Sequence, residues 1–318
     1  MVAALLATGC GYIGEPLPPL ANVPARVNDL AAVQRGSRIF VQFTIPSRTT
    51  EGMIAKDPVK LDLRIGTAGA PFNADQWAAH ARRVPETTRE TGMAHYTIPA
   101  AEFANQEAVL AVRAIGANGK DAGWSSFLVL PVVPPPEQPA AVTATATADG
   151  VRLTWRARGE NFKVFRKAPA EGFALVATVQ QTQWTDPSAE FGRQYTYQVQ
   201  SIVKLGQNRE AESELSAEAS ITPVDTFPPA APSGLRLSPA PNSIELAWDR
   251  NREADLAGYR IYRATAGGPL EKLTDTSQIP SYSDRNVEHG KQYRYAIAAL
   301  DNAANESAKT PPVEVLFP

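Results

Sequence analysis

Two clusters of proline divide this chain: Pro131-Val-Val-Pro-Pro-Pro-Glu-Gln-Pro139 and Pro223-Val-Asp-Thr-Phe-Pro-Pro-Ala-Ala-Pro232. Proline lacks a backbone N–H and has a fixed φ, so neither run can lie inside a central strand or a helix. Each makes a short, semi-rigid, extended connector. The chain is thereby cut into segments that must each close a core of their own. A length of 318 residues with 43% apolar content is enough for two or three such cores.

The segments after the two clusters repeat one another. Gly150-Val-Arg-Leu-Thr-Trp155 corresponds to Ser243-Ile-Glu-Leu-Ala-Trp248, and both alternate apolar with polar residues as half-buried strands do. Phe162-Lys-Val-Phe-Arg-Lys167 matches Gly258-Tyr-Arg-Ile-Tyr-Arg263, and Gln183-Trp-Thr-Asp186 matches Ser281-Tyr-Ser-Asp284. The late strands agree best: Gly192-Arg-Gln-Tyr-Thr-Tyr-Gln-Val199 and Gly290-Lys-Gln-Tyr-Arg-Tyr-Ala-Ile297. About seven short alternating strands per segment, with turns between them, read as an immunoglobulin-like sandwich.

The strand-ending Trp, the G-x-x-Tyr-x-Tyr late strand and the Asp…Pro-Pro-Ala-Ala-Pro linker resemble tandem bacterial fibronectin type III domains, from Gln138 to Leu316. The resemblance implies an all-β chain of three such sandwiches. Trp155 and Trp248 are then core tryptophans between the sheets. Tyr195 and Tyr293 take the tyrosine-corner position, where the hydroxyl bonds back to nearby backbone.

The first segment is more divergent. Ser37–Phe43 overlays the Trp strand with Phe43 in the Trp place, Val59–Ile65 gives the next strand, and Ala108–Ile115 the late one, with Ala108 at the corner position. The longer spacing from Phe43 to Ala108 leaves room for an insertion at 71–91. Within it, Asn73 and Gln76 form a candidate capping box for a short Ala-rich helix. The expected divisions are 1–22 for a leader and tether, then sandwiches at 23–133, 137–223 and 229–318.

Val2–Ala7 is a short apolar run that ends in Thr8-Gly9-Cys10, followed by Gly11, Gly14, Pro16, Pro18 and Pro19. A short apolar segment, a small residue and a processing site is a secretory pattern. With Cys10 at the cleavage point it resembles a bacterial lipobox, although Ala7 stands where that motif has Leu and no Lys or Arg comes first. The resemblance implies cleavage before Cys10, acylation of Cys10, and attachment to a membrane of the bacterial cell envelope. Gly11 after the cysteine resembles lipoproteins sent to the outer membrane. Cys10 is the one cysteine, so no disulfide closes within the chain.

Sequence motifs for catalysis are missing. There is no G-x-S-x-G, P-loop or H-E-x-x-H pattern. His80, His95 and His289 are scattered, which signals no metal site. Glu210, Glu212 and Glu214 alternate on one face of an extended segment and read as a solvated edge that discourages aggregation. Asp301-Asn-Ala-Ala-Asn-Glu-Ser307 offers oxygens that could hold calcium, but Asp and Asn serve turns on their own account. Trp77 in the insertion and Trp124 after the Gly119–Gly123 turn are candidate partner-binding residues of sugar-stacking or hot-spot type. The competing reading packs Trp77 beneath the inserted helix.

The net charge of −2, without a basic cluster, points away from nucleic acid. Together these features predict a non-catalytic, envelope-anchored binding or spacer protein with neither catalytic residues nor cofactor nor metal. It would present β-sandwiches to a protein or polysaccharide partner. The alternative is an accessory carbohydrate-binding protein acting with secreted glycosidases.

Overall fold

The computed structural model describes residues 22–56, 59–206, 209–265 and 267–318. Cys10 and the tether lie outside them. The first segment carries β1 (Ala31–Arg35), β2 (Arg38–Thr44), β3 (Lys60–Thr67), α1 (Ala74–His80), β4 (Arg82–Val84), β5 (Thr88–Glu90), β6 (Met93–Pro99), β7 (Glu107–Ile115) and β8 (Leu128–Pro131). The second carries β9 (Ala140–Thr147), β10 (Gly150–Arg156), β11 (Phe162–Lys167), β12 (Ala174–Val179), β13 (Gln183–Asp186), β14 (Tyr195–Lys204), β15 (Glu210–Glu212) and β16 (Ala219–Ile221). The third carries β17 (Ser233–Ala240), β18 (Ser243–Asp249), β19 (Leu256–Thr265), β20 (Glu271–Lys272), β21 (Ser281–Asp284), β22 (Gln292–Asp301) and β23 (Val313–Leu316).

Each segment is a two-layered β-sandwich, and the chain carries three immunoglobulin-like sandwiches in tandem. In the third, sheet β17-β18-β21 faces sheet β20-β19-β22-β23. In the second, β13-β10-β9 faces β12-β11-β14, with β16 also on β14. In the first, β4-β3-β7-β8 faces β1-β2-β6-β5. Alternation builds these layers: along β10, Val151, Leu153 and Trp155 point inward while Arg152, Thr154 and Arg156 face solvent. Along β18, Ile244, Leu246 and Trp248 do the same.

Trp155 meets Phe162 edge to face at 5.5 Å, and Trp248 meets Tyr259 at 5.1 Å. Phe43 fills the corresponding place in the first sandwich, stacked on Tyr96 at 5.7 Å. Both tryptophans are buried, at 4% and 3% exposure.

The span expected as an insertion, 71–91, folds as the helix α1 followed by the short edge strands β4 and β5. Asn73 caps α1, its side chain accepting from Gln76 N at 2.9 Å. A helix of seven residues cannot persist alone. It is held by Trp77, which packs against Val109 and Ala111 on the outer face of β7. Gly66 on β3 allows this approach: a Cβ there would stand 3.3 Å from Trp77 Nε1 and from Ala81.

The first two sandwiches share a sheet. Strand β1 pairs in parallel with β15, setting Gln34 opposite Ala211 and Arg35 opposite Glu212. The strand order then runs β12-β11-β14-β15-β1-β2-β6-β5 without a break. The proline linker is thus not the whole connection between these two domains.

Candidate binding site

At the junction, Glu212 is buried among two cations. Arg35 Nη2 lies 2.8 Å from Glu212 Oε2, and Lys163 Nζ lies 3.0 Å from Glu212 Oε1. Lys163 also contacts Glu210, and Gln200 Nε2 donates to Glu212 Oε2 at 3.3 Å. Burial pushes the Glu212 carboxyl up, but the bonds from Lys163 and Arg35 outweigh it and hold it below the ordinary range. The amide of Gln34 donates to Val133 O at 2.7 Å and accepts from Val133 N at 3.0 Å.

The expectation of a solvated edge at Glu210, Glu212 and Glu214 therefore fails at Glu212. A strand from another domain covers it, and period-two alternation cannot reveal a long-range partner. Glu214 lies against Gly36, whose φ is +53° and whose Cβ, if present, would stand 2.8 Å from Glu214 Oε1.

The corner tyrosines are engaged by backbone. Tyr195 Oη accepts from Glu190 N at 3.1 Å, and Tyr293 Oη accepts from Glu288 N at 2.9 Å. A second network repeats in both sandwiches and was not anticipated. Buried Asp186 accepts from Tyr197 Oη at 2.9 Å and Arg166 Nη1 at 2.7 Å. Buried Asp284 accepts from Tyr295 Oη and Arg263 Nη1, each at 2.8 Å. The signal was present in the paired Asp186 and Asp284 and in the second tyrosine of each late strand. Burial pushes the Asp186 carboxyl up, yet hydrogen bonds from Ser188, Arg166 and Tyr197 prevail and lower it. These carboxylates face structural donors, not a cavity.

Trp77 is 5% exposed. It meets Trp124 edge to face at 5.9 Å and Phe127 at 5.1 Å, so its indole is enclosed by its own domain. Trp124 is half-buried and lies beneath two guanidiniums, Arg113 at 4.6 Å and Arg64 at 5.4 Å from the ring centre. Both tryptophans serve the packing of α1, because the insertion adds an apolar layer outside the first sandwich. His80 bonds Gln76 O, and His95 lies on the other sheet near Glu90. Trp77, His80, Arg82, Arg83 and His95 do not converge.

Among the described residues, one acidic group could receive a hard cation. Single carboxylate oxygens of Asp225, Asp255 and Asp301 lie within 4.8 Å of one another. Asp225 comes from the second proline linker, which the sequence did not connect with the Asp301 turn. Asn305 already bonds both Asp301 oxygens at 2.8 Å, which is what a turn alone requires.

Open grooves line the sandwiches. One of about 430 Å³ lies over β1, β2 and β6, with Arg35 above the ring of half-exposed Phe40. Another, of about 660 Å³, lies where β12 ends and β13 begins, beside Trp184.

No family model matches the chain. Exoglucanase B of Cellulomonas fimi is 26% identical over 189 residues, 58% of this chain and 16% of that protein. An amylopullulanase of Thermoanaerobacterium thermosulfurigenes is 36% identical over 84 residues, 26% of this chain and 4% of that protein. The chain thus spans a small fraction of these curated relatives. Among solved structures, the FN1–FN3 domains of chicken CNTN1 align over 92% of this chain and 99% of theirs, at 14% identity and a TM-score of 0.30.

Proposed function

We propose that this chain is a non-catalytic binding and spacer module that works beside carbohydrate-active enzymes. The observation that carries the reading is the β1–β15 pairing, which joins two sandwiches through backbone hydrogen bonds and a buried ion cluster. Such a joint holds its domains at one angle, as a spacer requires, whereas a proline linker alone limits but does not fix it. Similarity to parts of an exoglucanase and of amylopullulanases favours a polysaccharide setting over an unspecified protein partner.

The chemistry agrees. Glycoside cleavage needs two carboxyls facing a bound sugar across about 5 to 10 Å. Among the described residues, buried Asp62, Asp186, Asp284 and Glu212 are instead tied to Arg, Lys and Tyr side chains of the fold, and buried Asp301 to Asn305.

Two assays on the full chain test this. Incubation with soluble glucans should release no reducing ends, and affinity electrophoresis should show retardation by at least one glucan. Hydrolysis at an enzymatic rate would overturn the non-catalytic part, and uniform mobility in every glycan gel would remove the polysaccharide part. Anchoring through acylated Cys10 belongs to the same proposal and rests on the sequence. Labelled palmitate should enter the protein in a bacterial host and be lost in Cys10→Ser.

A further inference from the structure

The groove beside Trp184 is built from side chains that a fibronectin-type sandwich does not need at those places. It is lined by Trp184 with the carboxamides of Asn161, Gln180, Gln181 and Gln183, and by the cations Arg152 and Lys204. Trp184 sits opposite Leu153 on the edge strand β13. Its inner part packs on the second core and the remainder is open to the groove. Arg152 Nη2 donates to Gln183 Oε1 at 2.8 Å, which fixes one amide.

The third sandwich supplies an internal comparison. Trp155 N donates to Thr182 O as Trp248 N does to Pro280 O, so the two loops align residue for residue. Gln183 then corresponds to Ser281 and Gln181 to Ile279. Arg152 corresponds to Glu245, since their strand partners are Thr185 and Ser283. Asn161 corresponds to Gly258, because Phe162 and Tyr259 meet the core tryptophans in the same way. Of the four carboxamides, only Gln180 keeps an amide partner, Gln278. The fold closes equally well with Ser, Ile, Glu and Gly, so core packing does not account for the set.

Its chemistry is specific. A carboxamide offers two donors and an acceptor oxygen together, and a sugar hydroxyl answers with one donor and two acceptor lone pairs. A flat indole beside fixed polar groups supplies the apolar contact for a pyranose face. No carboxylate lines the groove, so a cation is not the best fit; its two cationic side chains, Arg152 and Lys204, are outnumbered by four carboxamides and the hydroxyls of Thr178 and Thr185, which suit a hydroxyl-rich polymer better than a purely anionic one. We infer that this groove is a glycan subsite for a neutral hexose polymer. The inference rests on the accessory-module reading and gives it a location.

The test is affinity electrophoresis of the full chain in gels holding hydroxyethylcellulose, amylopectin or polygalacturonate. The variants are a Gln181→Ala/Gln183→Ala double, Trp184→Tyr, and Ser281→Ala as a control in the third sandwich. Gln181 and Gln183 are exposed, so the double variant should unfold at the wild-type temperature. We expect a neutral glucan to retard the wild type and Ser281→Ala equally. The double variant should bind about tenfold more weakly, as the loss of two sugar hydrogen bonds implies. Wild-type retardation that the double variant and Trp184→Tyr both keep removes this site while sparing the module reading. Retardation by polygalacturonate alone also overturns the neutral-glycan assignment. No retardation in any gel removes both.

Discussion

The corner hydroxyls show how single residues hold these sandwiches. Tyr195 and Tyr293 each satisfy a backbone N–H five residues upstream, at the turn into the late strand. Removing the hydroxyl while keeping the ring isolates that bond. Tyr195→Phe and Tyr293→Phe should each lower stability by about 1 kcal/mol in urea unfolding. Asp186 is a stronger case, since it gathers Tyr197, Arg166 and Ser188 in the interior. Its folded pKa lies below the unfolded value of 3.8. Its stabilisation is therefore present above that pH and is lost as pH falls through the folded value. The gap in stability between wild type and Asp186→Asn should be widest near neutrality and shrink on acidification below about pH 4. A gap that stays constant across the acid limb would count against this account. The core tryptophans and corner tyrosines could be read from the sequence because alternation and the repeat mark them. The repeat also marks Asp186 and Tyr197, but alternation does not show that they are partners, because the two lie on different sheets.

At the scale of elements, α1 depends on what lies under it. Its capping residue was legible, since Asn73 precedes Gln76 at the capping interval. Its seating was not, because Val109 and Ala111 on β7 are distant in sequence. Trp77→Ala should cost about 3 to 5 kcal/mol for the first sandwich, the range for large aromatic truncations. Hydrogen exchange in α1 should rise with it, while the third sandwich keeps its protection. The β1–β15 pair makes a second case. Glu212→Ala leaves Lys163 with Glu210 and leaves Arg35, whose side chain is 38% exposed, without its anion, so the loss should be about 1 to 3 kcal/mol, that of a charged hydrogen bond rather than of a buried unpaired ion. A chevron or denaturant curve for the variant should show that loss in the first two sandwiches only.

For the whole molecule, the junctions differ in kind. The first and second sandwiches share strands, while the second and third each contact the linker between them. Phe191 lies 6.2 Å from Phe227, and Asn305 reaches Asp225. Calorimetry should accordingly show the first two sandwiches unfolding as one unit and the third as another. Arg35→Ala should split the shared transition. Acid should loosen the same joint, because Glu212 has a depressed folded pKa and loses its stabilising charge as pH falls through it. A single transition at every pH in both proteins would defeat this picture. By itself the sequence determined the all-β class, the two proline clusters set between strand-rich segments, the inward tryptophans and the inserted helix. All of these follow from local constraints: alternation of side chains, the missing N–H of proline, and capping at fixed spacing. Only the tertiary structure decided that Glu212 is buried, that two domains share one sheet, and that Trp77 is enclosed. Those facts depend on which distant surface covers a residue, and strand periodicity carries no record of that.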